Sequence, residues 1–431
     1  MGLVHRGARH AVTTPDLKRL LAICWEMPPL SGPRAVQVTR TLAALPEYGW
    51  HARVICFGPR SDRYHQDFRV SLEALSGGGA SLIPVPSPEE WFIFRALWRL
   101  VPSIKHLPDE KRVWMPGALR AARAAIAAEP VDLIVSFAQP WTNHLIGLRL
   151  ARETGLPWVA HFSDPWVDSP YFQRRGAIRR RAEAWEREVI AGATRVVFVN
   201  AHARDRVMAK YSESWKAKTS VIPQSCEPIG NARALPPLDH NRPLRVIYTG
   251  RFYPGVRTPD ALLNAIAELN REAPLGGKLE VEFIGADMDI YARQASRLGL
   301  DGLVKFSPRV PPPEARNRAA TADVLLVIDA PGPASLFLPS KLIDYLPLRR
   351  PILGLTPSVG PSADLIRELS YRVAAPDDVA AITAALRELL KAHAAGRLVA
   401  SLQHDSVADR FTIARTTRRF ADVLEQAVGE R

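Results

Sequence analysis

Only three cysteines occur in 431 residues: Cys24, Cys56 and Cys226. They are odd in number, far apart and form no C-x-x-C, which excludes a disulfide framework and a thiolate zinc site. Cys24 and Cys56 lie in apolar runs, where a thiol behaves as a small core residue. Long hydrophobic runs are missing too. No stretch reaches the roughly 18 apolar residues of a membrane span. The best, Trp91-Phe92-Ile93-Phe94, is broken by Arg95 and then Arg99. The first residues, through Arg9, are basic but lack the apolar stretch of a secretory leader. The expectation is a cytoplasmic protein. No D-x-D pattern stands in a metal-site context.

What is present is ordinary globular composition with a basic excess. Hydrophobic residues make up 47% and charged residues 23%, which sets the chain apart from disordered and fibrous proteins. The formal net charge of +13 favours anionic partners: phosphates, an anionic membrane surface or nucleic acid.

Short apolar runs alternate with amphipathic helical stretches. In the first half the runs are 20–24, 53–57, 131–137, 158–162 and 195–199. Each is β-branched or aromatic and is bounded by Pro, Gly or polar residues, as buried parallel strands are. Ala35, Val38, Leu42 and Leu45 recur at helical spacing behind Pro33, a good first-turn residue. From Pro228 to Pro243 periodicity stops and prolines accumulate, marking a linker. The alternation restarts with runs at 245–248, 280–284, 304–306, 324–328 and 351–355. Two such arrays predict an α/β protein of two doubly wound Rossmann-like domains facing a cleft. The expected boundaries are 1–230, a linker at 231–243, and 244–405. An amphipathic segment at 406–431 is expected to return toward the N-terminal domain.

The second array carries a candidate diphosphate site. Tyr248-Thr249-Gly250-Arg251 follows a strand, and Arg257, Thr258 and Pro259 precede a helix. Thr258 reads as its N-cap and Pro259 as its first residue. A helix N-terminus attracts anions, and arginine forks suit phosphate. Further on, Ser340 reads as the cap of a helix beginning at Lys341, with Asp344 one turn later. A capped helix with an early Asp also occurs with no ligand at all.

These segments together resemble glycosyltransferase family 4. Gly250-Arg251 through Leu262-Leu263-Asn264-Ala265 is similar to that family's G-R-L…K-G…L-L-x-A signature. Phe306-Ser307-Pro308-Arg309-Val310 is similar to its V-x-F-x-G-x-V, and Ala322-Asp323-Val324 to its A-D-V strand. Pro339-Ser340-Lys341 through Asp344-Tyr345, then Arg350-Pro351-Ile352-Leu353, resembles its P-x-K-x-x-E-Y…x-P-V-I block. The resemblance implies a metal-independent GT-B hexosyltransferase that uses a nucleotide-diphosphate sugar and retains anomeric configuration. It implies that Arg251 and Arg257 bind the donor diphosphate, for which the helix start at Ser340 and Lys341 is read from its own residues as a further holder. It places the loop of Arg309 and Val310 against the base, and Asp344 where a Glu binds ribose. Three positions depart from the pattern. Arg257 replaces a Lys after one extra residue, Asp344 replaces the second Glu, and Leu336 stands where the first Glu would meet the donor sugar. Asp329 or the backbone of the loop Ala330-Pro331-Gly332-Pro333 is then left to serve that sugar.

On the acceptor side, the loop from Cys24 to Pro33 resembles the family's P-P…G-G loop, which approaches the donor phosphates. It keeps one glycine, Gly32; a tight turn into a helix explains the segment almost as well. His161 and Asp164 end a strand and resemble the family's H-D segment, so they are the candidates for acceptor binding or proton transfer. Arg174, Arg175, Arg179, Arg180 and Arg181 suit either a solvated helix start or contact with acidic lipid or a lipid-phosphate acceptor. Aromatic and basic residues between Trp91 and Trp114 suit a membrane interface and an ordinary core equally. Cell-surface polysaccharide or glycolipid synthesis, with a glycan or lipid-linked acceptor and a peripheral position at the inner face of a membrane, follows by resemblance. The alternatives are a GT-B-like sugar-nucleotide epimerase, a non-catalytic relative and a basic nucleic-acid-binding protein. The last lacks a recognised motif, so no nucleic acid is expected.

Overall fold

The computed structural model describes residues 17–30, 32–59, 80–88, 107–227, 237–285 and 288–430. The aromatic and basic positions from Trp91 to Lys105, the basic start and most of the proline-rich linker fall outside these residues.

The first sheet is built from β1 (Lys18–Ile23), β2 (Trp50–Phe57), β3 (Ala80–Val85), β4 (Leu133–Phe137), β5 (Trp158–Phe162), β6 (Arg195–Phe198) and β7 (Thr219–Val221). Their spatial order is β3-β2-β1-β4-β5-β6-β7, every pairing parallel. The second sheet holds β8 (Leu244–Thr249), β9 (Leu279–Ile284), β10 (Val304–Ser307), β11 (Val324–Ile328), β12 (Ile352–Leu355) and β13 (Val373–Ala374). Its order is β10-β9-β8-β11-β12-β13, again parallel. Two doubly wound parallel sheets are what the alternating pattern predicts.

The central strands carry apolar residues on both faces because helices cover both. β4 and β11 are buried along their whole length. β3 escapes a pattern reading: it is an edge strand pairing with β2 and contains Pro84, which an edge tolerates. β7 and β13, with three and two residues, are too short to show a period.

The terminal helix Ile413–Gly429 buries Phe420, Ala421, Val423, Leu424 and Ala427 in the cluster that contains Leu20, Val38 and Phe137 of the first domain. Phe420 packs 6.0 Å from the Phe137 ring and 6.0 Å from the His161 ring. The C-terminus therefore completes the N-terminal core. Among the described residues, no helix is long and apolar enough to cross a membrane.

In each sheet the strand order reverses once, between β1 and β4 and between β8 and β11. Loops leaving the carboxyl ends of these strands form the crevice in which open α/β sheets bind ligands. Glu26 and Gly32 follow β1. Gly250 and Arg251 follow β8, and Asp329 follows β11.

Candidate active site

The C-terminal wall gathers cations at the β8 and β11 ends. Gly250 has φ +125°, and a methyl group there would lie 2.6 Å from the Lys341 ammonium. The backbone thus leaves room for Lys341 to lie across the turn, with Nζ 3.6 Å from the centre of the Tyr248 ring. That ammonium is buried and has no hydrogen-bond partner among the described residues. Burial, then the like charge of Arg257, pushes its pKa well below the usual lysine range, while Asp329 opposes the shift.

Arg257 stacks 5.0 Å from the Tyr253 ring and donates through Nη2 to the Arg251 carbonyl at 3.0 Å. Its Nε is buried and has no hydrogen-bond partner among the described residues. Arg251 is exposed; its carbonyl also accepts from the Tyr248 hydroxyl at 3.1 Å. Asp329 is buried and accepts from Thr356 at 2.9 Å. Its carboxyl is pushed up by burial, against the hydrogen bond from Thr356 and the charges of Arg257 and Lys341. The structure therefore brings Gly250, Arg251, Arg257, Asp329 and Lys341 together. Arg309 is exposed beside Gly285, and Val310 is half-buried over the cluster of Ile247, Ile284 and Leu342.

Two expected caps are corrected. Ser340 is the first helical residue of Ser340–Tyr345, and Pro339 occupies the cap position without a side-chain bond. The extended ψ of 132° at Pro339 ends the incoming loop one residue earlier than a serine cap requires. Likewise the helix Asp260–Glu272 has Pro259 at its cap position, and the Thr258 hydroxyl donates to the Asp260 carboxylate at 2.8 Å.

Asp344 meets the other domain. Its carboxylate accepts from Arg40 Nη1 at 2.9 Å, and Arg40 also reaches Glu227 at 3.1 Å and the Ser225 carbonyl at 2.9 Å. Leu336, in place of a carboxylate, offers its backbone carbonyl to Asn200 Nδ2 at 3.1 Å. Tyr171 stacks on Phe337 with centroids 5.1 Å apart. Arg316 also pairs with Glu227 at 3.1 Å, so Arg40→Ala removes the hydrogen-bonded counter-charge of Asp344 while Glu227 keeps one of its own. Because Asp344 is partly solvated, the expected cost is about 1–3 kcal/mol, visible as a lower melting temperature in scanning calorimetry. An unchanged melt would show that this contact contributes nothing to holding the halves together.

The N-terminal wall centres on Arg34, which is buried in the first turn of the helix Pro33–Ala44. A cation there opposes the helix dipole, and that conflict is a sequence signal of a dedicated role. Arg34 Nη2 lies 3.0 Å from His161 Nδ1 and 3.3 Å from the His161 carbonyl. The guanidinium donates to Nδ1, so the imidazole proton sits on Nε2. Burial and the Arg34 charge hold the His161 pKa well below its usual value, so the ring stays neutral and presents an N–H. Asp164 accepts from Ser163 Oγ at 2.7 Å, and burial raises its carboxyl against the pull of Arg34.

Gly32 makes room for a carboxylate. A methyl group on it would fall 1.3 Å from Glu26 Oε1, so the glycine leaves a seat for the Glu26 carboxylate at the helix start. Burial raises the Glu26 carboxyl, while Arg34 and Lys111 lower it through space rather than by hydrogen bonds. Tyr171 feels charges from both walls: Arg257 and Asp329 from one, Asp164 from the other. Arg34, Arg40, Glu26 and Asn200 were not assigned roles from sequence, since nothing local marks their partners.

Comparison with known proteins fits this architecture. No curated protein matches the sequence. Among solved structures, sucrose-phosphate synthase of Thermosynechococcus elongatus superposes with TM-score 0.71 at 17% identity, covering 96% of this chain and 100% of that one. HepE of Anabaena, in complex with UDP, gives 0.65 at 14%, covering 95% and 100%. An E. coli trehalose-6-phosphate protein bound with UDP-2-fluoro glucose gives 0.60 at 14%, covering 96% and 99%. At these identities the likeness establishes the fold, which is GT-B. The motifs quoted from the second array lie outside the segment that matches a family. That segment is residues 34–224, which match the Glycosyl transferase 4-like domain.

Proposed function

We propose that the protein is a glycosyltransferase that moves a sugar from a nucleoside-diphosphate sugar on the C-terminal wall to an acceptor hydroxyl on the N-terminal wall. The observation that carries the reading is the buried, unpartnered Lys341 ammonium at Gly250, with the unpartnered Nε of Arg257 in the same pocket of charge. A buried ammonium without a hydrogen-bond acceptor is costly even over an aromatic ring, and a diphosphate oxygen supplies the missing acceptors. The 4-like domain at 34–224 and the UDP and UDP-sugar bound by proteins of the same fold support this donor class and favour uracil as its base.

In the reaction, the bond from the sugar C1 to the β-phosphate oxygen breaks and a bond from C1 to the acceptor oxygen forms. Lys341, Arg251 and Arg257 stabilise the charge gathering on the diphosphate, the work a metal ion would otherwise do. With retention, the acceptor attacks from the leaving-group face and its proton passes to the departing diphosphate oxygen. Asp329, close to both Arg257 and Lys341, takes the sugar-hydroxyl role that Leu336 lacks. Asp344 reaches ribose by exchanging Arg40 for the 2′- or 3′-hydroxyl. A glycan or lipid-linked acceptor at a membrane face belongs to the same reading. Arg174, Arg175 and Arg180 are exposed, while Arg179 is paired with Glu183 and Arg181 stacks over Trp185.

Thermal stabilisation by UDP, GDP, ADP and their sugars tests this, because a ligand of the folded state raises its stability by mass action. One diphosphate is expected to stabilise the wild type, and Arg251→Ala to lose that shift. Stabilisation by a short nucleic acid and by no nucleotide would sink the reading.

A further inference from the structure

The N-terminal wall carries charges that the donor does not use. Arg34 is 8% exposed, and its Nε is buried without a partner among the described residues. Two carboxylates act on it through space, Glu26 and Asp164, and neither forms a hydrogen bond with it. Glu26 sits in the space that Gly32 leaves open, so its position is built into the backbone. The nearby cation Lys111 has its own carboxylate, Glu110, at 3.2 Å. His161 is neutral beside them and offers Nε2–H. The wall thus presents two acceptors and two donors, with an excess of negative charge when both carboxylates are ionised.

We propose that Glu26, seated at Gly32, and Asp164, on the loop after His161, which the Arg34–His161 contact brings to the same wall, form the acceptor subsite, and that it takes an uncharged, hydroxyl-bearing sugar terminus and rejects a phosphate or carboxylate there. This rests on the transferase reading above. A hydroxyl donates one hydrogen bond and accepts others, so a diol satisfies carboxylates and N–H groups together. A phosphate accepts but cannot satisfy two carboxylates, and its charge meets theirs. The molecule therefore divides its anions: the diphosphate on the side of Lys341 and Arg257, a neutral terminus on the side of Glu26. Glu26 acts as a specificity-determining residue for the acceptor.

Saturation-transfer NMR, with and without UDP, tests this using methyl glucoside, galactoside and mannoside against methyl glucuronide and methyl glucoside 6-phosphate. At least one neutral glycoside is expected to bind the wild type, and the two charged ones to bind none. Glu26→Gln, which keeps the shape, is expected to weaken the neutral glycoside about tenfold and to keep the UDP thermal shift. Glu26→Asp is expected to recover part of the loss. Binding of charged glycosides as strong as neutral ones overturns the proposal. So does unchanged neutral binding in Glu26→Gln, or silence from every neutral glycoside. Failure of UDP to stabilise the wild type counts against the donor reading instead, while the glycoside comparison still decides this one.

Discussion

Replacing Lys341 by methionine is expected to stabilise the fold and to remove nucleoside-diphosphate binding. Methionine keeps the length of the stem and its contact with the Tyr248 ring, but brings no charge. In the wild type the ammonium is buried without a hydrogen bond, so its removal is worth about 1–3 kcal/mol to the empty protein. In the proposed transfer reaction the same ammonium faces charge that grows on the leaving diphosphate. Its loss is expected to cost about 100- to 1000-fold in kcat/KM. A thermal melt and a steady-state assay on one sample separate the two effects. A destabilised Lys341→Met with intact turnover would show that the lysine serves the fold.

The same residue fixes a pH dependence. Its pKa in the folded protein lies well below the ordinary 10.5. The unfolded chain therefore binds the proton more tightly, and stability rises with pH between the lowered value and 10.5. Above 10.5 both states are neutral and the penalty is gone. Below the lowered value both are charged and the penalty is complete. A bound diphosphate reverses the shift, so within that window nucleotide binding is accompanied by proton uptake. Titration calorimetry in buffers of different ionisation enthalpy reads this directly. In Lys341→Met the buffer dependence is expected to shrink.

Gly250→Ala is the second large effect, with the opposite sign on stability. The residue holds φ +125°, a conformation that costs an alanine about 1–3 kcal/mol. Its new methyl would lie 2.6 Å from Lys341 Nζ and 3.2 Å from Cε. The lysine tip must leave its seat, so diphosphate binding is expected to fall as far as in Lys341→Met while the melting temperature falls as well. Two variants with the same loss of binding and opposite shifts in melting identify geometry at Gly250, rather than general damage, as the cause. Wild-type affinity in Gly250→Ala would place the diphosphate elsewhere.

The fold was legible where burial is two-sided. β11 appears in the sequence as an unbroken apolar run and spans 324–328 in both readings. β3 was not legible, because an edge strand with a proline carries neither alternation nor a solid run. The cation cluster of the C-terminal wall was legible through glycine and cations in one short segment each: Gly250 with Arg251 and Arg257, and Lys341 further on. The cap assignments at Thr258 and Ser340 missed by one residue because a proline beside each boundary fits either position. The N-terminal wall is another matter. Arg34 meets His161 across 127 residues and Arg40 meets Asp344 across 304. No local pattern encodes such pairs; only the odd placement of an arginine in a helix's first turn hints at the first of them.

The central claim is that the pocket around Lys341, Arg251 and Arg257 exists to hold a diphosphate. Calorimetric titration with UDP, UMP and uridine tests it most directly. Affinity is expected to climb with each phosphate, with uridine weakest by far, and the gain from the second phosphate should disappear in Lys341→Met. Equal affinity for uridine and UDP, or a phosphate gain that survives the loss of Lys341, would contradict it.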